Sequence, residues 1–246
     1  MKNTAQWTPS KFLLVNGRLV PSRNPLHLGI ASRLIAKYIA DVYNDILPAH
    51  ARGRLLDLGC GRVPLYEAYK GYITDCTCID WGLSLHDSIH LDFQCDLNSP
   101  LPCGNAEFDT ILLSDVLEHI ATPDNLWREM SRVLAPRGKI ILNVPFYYGI
   151  HEAPHDYYRF TEFALRRFAE QARLSVVTLQ PFGGTPAIIT DLFAKTAIRL
   201  PLLGKPLALF AQWITYGLTR MGPLKKISDA TKVRFPLGYF LVAVKA

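Results

Sequence analysis

Five short apolar runs alternate with helical stretches between residues 54 and 146, and this alternation constrains the fold more than any other feature of the chain. Continuous apolar runs are typical of strands covered on both faces, and their alternation with helices favours a parallel sheet. Two later stretches of the same kind add a sixth and a seventh strand. The sequence therefore predicts an α/β fold. The seven stretches are RLLDL, CTCID, FQCDL, FDTILLSD, KIILNVPF, LSVVTLQ and LGYFLVAVKA.

Polar residues and glycines end the first four runs. In open parallel sheets, ligands bind at the carboxyl ends of the strands, where the strand order reverses. We therefore expect the ligand site among these residues. They are Asp57 to Gly61 after the first run, Asp80 after the second, Asp96 after the third, and Ser114 to His119 after the fourth.

Each strand end suits a nucleoside that carries a cationic amino-acid tail. The two glycines after the first run lack the Cβ atoms that would hold a ligand away from the backbone. Asp57 places a carboxylate where an ammonium group can bind, directly or through water. Asp80 can accept hydrogen bonds from both ribose hydroxyls. Asp96 can accept from an adenine amino group while Leu97 packs against the ring.

The ordered series LLDLGCG, CIDWG, CDLNSPLP, FDTILLSDVLEHI and VLAPRGKIILNVP resembles the class I S-adenosylmethionine-dependent methyltransferases, from about residue 50 to 182. Within that superfamily, LEH and HDYYRFT are similar to a bacterial branch often met in glycan and lipid biosynthesis. The resemblance implies S-adenosyl-L-methionine as cofactor and a Rossmann-like, seven-stranded, mostly parallel sheet with helices on both faces and an antiparallel last strand. It implies cofactor binding by Asp57, Gly59, Gly61, Asp80, Asp96, Leu97 and Ser114.

The role of Trp81 stays open, and one motif departs from the usual methyltransferase sequence. Trp81 follows the ribose acid, where it could stack on the adenine or serve ordinary packing. The usual Pro-Gly-Gly before the fifth strand is Pro136-Arg137-Gly138, a change at a surface turn. A dinucleotide-binding site is disfavoured, because Pro64 stands where its third glycine is needed. A phosphate-binding P-loop is disfavoured too, because no Gly-Lys-Ser/Thr follows the glycines.

Three histidines are candidates for the base that an acceptor hydroxyl would need: His119, His151 and His155. His155 is the first choice, since Asp156 beside it and the end of the fifth strand could orient it at the methyl group. Neighbours in an extended segment point apart, so both residues could equally hold the loop in place. His119 lies at the end of the fourth strand, where acceptors also approach, and its alternative role is to bind the helix that follows.

The rest of the HDYYRFT segment predicts an acceptor pocket, with Tyr157 and Tyr158 lining it and Arg159 binding a phosphate or carboxylate. The alternative is a solvated loop without such a role. No metal is required for methyl transfer, and no metal site is predicted. The five cysteines lack paired spacing and are expected to be buried, reduced thiols rather than zinc ligands.

The domain plan has four parts: a hairpin and helix extension at 1–48, the methyltransferase core at 49–185, a basic apolar helical insertion at 186–235, and the final core strand at 236–246. Asn16-Gly17 is the predicted turn of the hairpin. The first long helix is expected over 29–46, with Pro48 closing it. A later helix is expected to begin at Thr122 and Pro123 and to end near Gly138.

The insertion carries the whole net charge of the chain. It has eight lysines or arginines against Asp191 and Asp229, which equals the net charge of +6. Its longest uncharged run has 14 residues, too few to span a membrane. Three interpretations stay open: contact with an anionic membrane surface that admits a lipid-linked acceptor, a lid over the core, or a homodimer interface. Nucleic acid is a less favoured partner, since aromatic interleaving is scarce.

The expected function is methyl transfer to a small-molecule, glycan or lipid-linked acceptor, with a hydroxyl as the accepting group. An RNA-modifying methyltransferase and a non-catalytic protein with a cofactor-binding fold are the alternatives. The opening residues lack the pattern of a secretory leader, which favours a cytoplasmic protein, with peripheral contact to the inner face of the membrane if the insertion binds lipid.

Overall fold

The computed structural model describes residues 1–82 and 89–246, and these residues form two compact units. The first unit comprises residues 1–9, 45–180 and 239–246. The second comprises residues 10–44 and 181–238. The sequence-based plan treats the N-terminal extension and the helical insertion as separate parts, whereas most of both lies in this one second unit.

Nine strands and seven α-helices make up the described chain. The strands are β1 (Phe12–Val15), β2 (Arg18–Pro21), β3 (Gly53–Leu58), β4 (Ile73–Asp80), β5 (Phe93–Gln94), β6 (Phe108–Ser114), β7 (Leu134–Pro145), β8 (Leu174–Phe182) and β9 (Gly238–Lys245). The helices are α1 (Arg33–His50), α2 (Tyr66–Tyr69), α3 (Pro123–Val133), α4 (Glu162–Gln171), α5 (Thr185–Ala197), α6 (Gly204–Leu218) and α7 (Gly222–Thr231).

A seven-stranded sheet in the order β5-β4-β3-β6-β7-β9-β8 forms the centre of the first unit. Strands β3, β4, β5, β6 and β7 pair in parallel, and the strand at the end of the chain is antiparallel. Helices surround the sheet, so the predicted Rossmann-like architecture is confirmed. Strand order reverses between β3 and β6, which places the carboxyl ends of these two strands at the switch point where such sheets bind ligands.

The apolar runs are buried, as expected of strands covered on both faces. Ile111, Leu112 and Leu113 in β6 are fully buried, and the central residues of β3 and β7 are equally inaccessible. Helix α3 contributes a stripe of apolar residues to the same core. Burial of this apolar surface is the main driving force that holds the strand ends in register. The residues of the α3 stripe are Leu126, Met130, Val133 and, just after the helix, Leu134.

Some helix limits differ from the predicted ones. Helix α1 runs from Arg33 to His50, so Pro48 lies inside it rather than closing it. Helix α3 begins at Pro123 as predicted but ends at Val133, before Gly138. Arg137, whose φ of 62° is in the left-handed region, lies within β7, where the register with β6 shifts between Leu134 and Lys139. Two of the cysteines, Cys95 and Cys103, are half-buried, while the other three are buried, and all five are free thiols.

The second unit combines the N-terminal hairpin, most of α1 and helices α5 to α7. The β1–β2 hairpin turns at Asn16-Gly17, where both residues have positive φ, as that dipeptide predicts. Gln212 in α6 is buried and links the two sequence-distant parts: its Oε1 accepts from the Leu34 amide at 2.8 Å and its Nε2 donates to the Ile30 carbonyl at 2.9 Å. Such buried side-chain bonds cannot be predicted from spacing along the chain.

Among the described residues, no helix is both long enough and apolar enough to cross a membrane.

Candidate active site

Asp57 lies at the end of β3 with its side chain buried beneath the glycine turn. Its Oδ2 accepts a hydrogen bond from the Tyr69 hydroxyl at 3.0 Å. Burial raises the pKa of Asp57 to about 7, because ionisation is costly away from water. A buried carboxyl group with this pKa gains stability from a cation, which fits the predicted ammonium contact.

The turn after β3 explains both glycines. Gly59 has a φ of 65°, and a Cβ there would lie 2.5 Å from the Val116 side chain, so only glycine fits. Gly61 has a φ of 50°, and its amide donates to Oδ2 of Asp80 at 2.7 Å. The Trp81 amide donates to Oδ1 of the same carboxylate at 2.7 Å. Two backbone donors therefore fix the orientation of the predicted ribose acid at the end of β4.

Asp96 and Leu97 follow β5. Oδ1 of Asp96 accepts from both the backbone amide and the side-chain amide of Asn98, each at 2.9 Å. Leu97 is buried in the core of the sheet. The side-chain oxygen of Asn98 in turn accepts from the Thr122 amide and from the Thr122 hydroxyl. Thr122 precedes α3 as predicted, but its hydroxyl bonds to Asn98. The structure therefore brings the third strand end to the start of α3.

Ser114 ends β6 and takes part in a chain of polar side chains. Its hydroxyl donates to Oδ1 of Asn143 at 2.8 Å, and the Asn143 side-chain amide donates to Asp115. Asn143 lies inside β7 and is 1% exposed. Asp115 lies within the predicted strand end Ser114 to His119, but sequence analysis missed Asn143, although a polar residue in the middle of the apolar run KIILNVPF was a signal. We call the residues at these four strand ends the cofactor edge. They are Asp57 to Gly61, Asp80, Trp81, Asp96, Leu97 and Ser114.

His155, the first choice for a base, lies beside Trp81. The two rings meet edge to face with centroids 5.1 Å apart. Nδ1 of His155 is 3.0 Å from the Tyr157 hydroxyl. The structure thus brings a residue of the HDYYRFT segment into contact with the residue that follows the ribose acid. We call residues His151 to Thr161 the acceptor loop.

Asp156 does not pair with His155. Its carboxylate receives two bonds from the Arg159 guanidinium, at 2.6 and 2.7 Å, and one from the His151 amide at 2.9 Å. The Arg159 guanidinium holds the pKa of Asp156 well below its usual range. Asp156 therefore does not orient His155, because its carboxylate accepts from Arg159 and from the His151 amide instead.

Arg159 is held by the loop itself. Besides Asp156, its guanidinium donates to the backbone carbonyls of Tyr148, Gly149 and Tyr158. This saturation means that Arg159 stabilises the loop, and it is less suited than predicted to binding an acceptor phosphate or carboxylate. The aromatic rings beside it remain accessible: Tyr157 is 45% exposed and Tyr158 is 39% exposed. The Tyr158 hydroxyl donates to the Ala121 carbonyl at 3.0 Å.

Three residues form a second polar centre after β6, which we call the Glu118 cluster: Glu118, His119 and His151. The Glu118 side chain is fully buried, and its backbone carbonyl accepts from the amides of Tyr157 and Tyr158. The two imidazole rings meet with centroids 4.7 Å apart, and Nε2 of each lies 3.8 Å from Oε1 of Glu118. Burial raises the pKa of the Glu118 carboxyl group, and the nearby carboxylate raises the pKa of His151. Sequence analysis did not combine these residues, since His151 is far from LEH along the chain.

The comparisons with known proteins point in one direction. The model of a family described as "Methyltransferase domain" matches residues 31–179. A ubiquinone biosynthesis O-methyltransferase of Chromobacterium violaceum is 27% identical over 189 residues, which covers 63% of this chain and 80% of that protein. A protein of the same name from Xanthomonas oryzae is 28% identical over 103 residues, covering 38% of this chain and 43% of its own length.

Solved structures show the same fold at low sequence identity. Geranyl diphosphate C-methyltransferase of Streptomyces coelicolor, solved with Mg²⁺, geranyl diphosphate and S-adenosyl-L-homocysteine, has a TM-score of 0.53 and is 14% identical, over 91% of this chain and 84% of that one. Phosphoethanolamine N-methyltransferase 2 of Haemonchus contortus, solved with S-adenosylhomocysteine, has a TM-score of 0.51 and is 15% identical, over 88% and 57%. The cyclase SpnF has a TM-score of 0.53 and is 19% identical, over 85% and 82%.

Proposed function

The chain belongs to the methyltransferase domain family, and from this premise we propose that its methyl acceptor is a hydroxyl group on a small-molecule, glycan or lipid-linked compound. It is an S-adenosylmethionine-dependent methyltransferase. The observation that carries the choice of a hydroxyl is the position of His155, a base suited to neutral pH, against Trp81 of the cofactor edge. The name of the Chromobacterium relative, an O-methyltransferase, supports oxygen as the accepting atom.

The cofactor edge fits the three parts of S-adenosylmethionine. The buried Asp57 carboxyl group suits the ammonium of the amino-acid tail. Asp80, oriented by two backbone amides, would accept from the ribose hydroxyls. Asp96, at the next strand end, would accept from the adenine amino group. When bound, the cofactor supplies an electrophilic methyl group on a sulfonium. These assignments are part of the proposal and rest on the strand-end geometry.

His155 is the proposed base. Methyl transfer to oxygen is an in-line displacement, so the protein must align the hydroxyl and remove its proton. The Tyr157 hydroxyl, 3.0 Å from Nδ1 of His155, fixes the ring orientation and leaves Nε2 to receive that proton. The bond network of Arg159 and Asp156 then serves to hold the loop, and with it His155, in a single position.

The second unit supports a lipid-linked acceptor. Helix α6 and Leu203, the residue before it, expose an apolar face: Leu203 is 66% exposed, Phe210 is 58% exposed and Trp213 is 72% exposed. These residues recur at helical spacing, and the Phe210 and Trp213 rings stack with centroids 6.3 Å apart. The surrounding segment carries the excess of lysine and arginine. Exposed apolar and aromatic side chains with nearby cations are typical of helices that lie on an anionic membrane surface.

Vesicle sedimentation tests the membrane contact. The full chain should cosediment with vesicles of anionic phospholipid at low salt, and binding should weaken as salt screens the cations. Replacing Trp213 by Ala should weaken binding severalfold, whereas Phe163→Ala, an exposed apolar residue of the first unit, serves as the matched control. If the chain cosediments with anionic vesicles no more than with neutral vesicles, the lid or homodimer interpretation of the helical insertion is favoured instead.

The acceptor class is tested by transfer from methyl-labelled S-adenosylmethionine to fractionated cell extract. The lipid, glycan and small-molecule fractions are assayed separately, and the label should appear as an alkali-stable methyl ether. The Asp80→Ala variant controls for contaminating enzymes. Label found in methyl esters, methylamines or RNA would contradict the proposed hydroxyl acceptor.

A further inference from the structure

The Glu118 carboxylate is buried without the bonds that such a group needs. It is fully buried, and among the described residues no group lies within hydrogen-bond distance of either oxygen. The Nε2 atoms of His119 and His151, both 3.8 Å from Oε1, are too far away for a hydrogen bond. A buried, unbonded carboxylate is costly unless a cation compensates it.

The tautomers of both histidines direct a lone pair toward this carboxylate. Nδ1 of His119 lies 2.8 Å from the His155 carbonyl oxygen, which can only accept, so Nδ1 carries the proton. Nδ1 of His151 lies 3.3 Å from the Gly149 carbonyl oxygen, which also can only accept, so this Nδ1 carries the proton too. Each ring therefore has its free lone pair on Nε2, on the side of Glu118. Two lone pairs and a carboxylate that converge in this way repel one another unless a cation lies between them.

The spacing of the three atoms suits a metal ion rather than direct bonds. Imidazole and carboxylate ligands lie about 2.0–2.2 Å from Zn²⁺. Two ligands at that range are roughly 3 to 4 Å apart across usual coordination angles, and the observed 3.8 Å falls within it. All three ligand atoms lie within 4.8 Å of one another, so a small ring rotation closes the set on one ion.

We propose that Glu118, His119 and His151 bind a divalent transition metal of the Zn²⁺ class, in a site that sequence analysis did not predict. Imidazole nitrogens favour Zn²⁺, Fe²⁺ or Ni²⁺ over Mg²⁺ and Ca²⁺, which prefer oxygen ligands. The two Nδ1 bonds to backbone carbonyl oxygens are outer contacts of the kind that metal-binding histidines usually make.

Three protein ligands leave at least one coordination position open. The His119 and His151 side chains are 14% and 26% exposed, so that position faces accessible space rather than the core. We assign it to an oxygen of the methyl acceptor, a hydroxyl or a group next to one. This second part of the inference rests on the proposed function, whereas metal binding itself does not.

The test uses the full chain after chelator treatment, titrated with Co²⁺ as a spectroscopic probe and with Zn²⁺ in competition. The wild-type chain should bind one equivalent of Co²⁺ with visible absorption, and Zn²⁺ should displace it. Glu118→Gln and His151→Ala should each weaken binding at least 100-fold. His27→Ala, an exposed histidine of the second unit, should leave binding unchanged. Asp156→Asn should weaken it about 10- to 100-fold by loosening His151.

Affinity for S-adenosylmethionine reports whether each variant is folded. If Glu118→Gln fails to bind the cofactor, the half-exposed His151→Ala variant decides the question. Absence of stoichiometric Co²⁺ binding by the wild-type chain, or equal binding by the folded variants, would overturn the inference. If a chain that binds no metal transfers methyl to a hydroxyl, the metal site is wrong and the proposed function stands. If the chain binds metal but transfers methyl to another atom, the hydroxyl acceptor is wrong and the metal site stands.

Discussion

The cofactor edge and the acceptor loop lie in the same unit but are held in position differently. At the cofactor edge, backbone amides and positive φ angles orient the key groups, as for Asp80 between the amides of Gly61 and Trp81. In the acceptor loop, a side chain contributes most: the Arg159 guanidinium donates two bonds to Asp156, and the His151 backbone amide adds one. The difference implies that changes at the edge should alter cofactor affinity, whereas changes in the loop should alter turnover.

The largest expected effect separates the two regions directly. His155→Ala removes the proposed base, so kcat should fall about 10²- to 10⁴-fold. The dissociation constant for S-adenosylmethionine should stay within about threefold, because His155 contacts Trp81 only at the ring edge. Single-turnover kinetics and calorimetry measure the two quantities. Full activity in this variant would remove His155 from the mechanism.

The reciprocal change is made at the cofactor edge. Asp80→Ala removes a carboxylate expected to accept two ribose hydroxyl bonds, each worth about 1.5–3 kcal/mol, so affinity for S-adenosylmethionine should fall about 100-fold or more. Asp75→Ala, an exposed acid earlier in the same strand, is the matched control and should bind normally. An unchanged dissociation constant in Asp80→Ala would contradict the assignment of the ribose site.

A smaller effect concerns pH. The pKa of Asp57 is raised to about 7 by burial, so its ionised fraction rises from roughly a tenth at pH 6 to nine tenths at pH 8. If the carboxylate binds the ammonium of the cofactor, affinity should improve about tenfold over that interval. Asp57→Asn should flatten this profile, and the same pH series on both proteins cancels any titration of the ligand itself. Parallel profiles would show that Asp57 does not meet the ammonium.

The smallest expected effect comes from weakening the bonds between Arg159 and Asp156 that hold the acceptor loop. Arg159→Lys keeps the charge but loses the paired bonds to Asp156, which should cost about 1 kcal/mol at this partly exposed position, or about 2–4 °C in Tm. Turnover should fall severalfold while cofactor affinity holds. Arg167→Lys, an exposed arginine of α4, is the control for thermal denaturation. An equal loss of cofactor affinity would mean that the two regions are not separable.

Local spacing was enough to predict the sheet and the strand ends, because both depend on short-range rules. Apolar runs define strands, and a ligand site at the switch point follows from the strand order. The hairpin turn at Asn16-Gly17 followed from backbone preference in the same way. The position of Pro48 inside α1 shows where such rules fail, since packing around a helix can outweigh a local break signal.

The side-chain networks could not be predicted, because they join residues that are distant along the chain. Ser114 and Asn143 meet only through the pairing of β6 and β7. His151 reaches Glu118 only when the acceptor loop folds back onto the residues after β6. Asp156 was expected either to orient His155 or to hold the loop, and its carboxylate accepts from Arg159 and the His151 amide, since adjacency in sequence does not determine which way a side chain points.

The edge-to-face contact between Trp81 and His155 also allows the intrinsic fluorescence of Trp81 to report on the His155 ring. An indole this close to an imidazole changes its fluorescence when the ring becomes protonated or moves away. Of the four tryptophans, Trp127 is buried in the core and Trp213 belongs to the second unit, so a difference spectrum against Trp81→Phe isolates the signal. Emission from Trp81 should therefore follow acceptor entry in real time, without any attached dye.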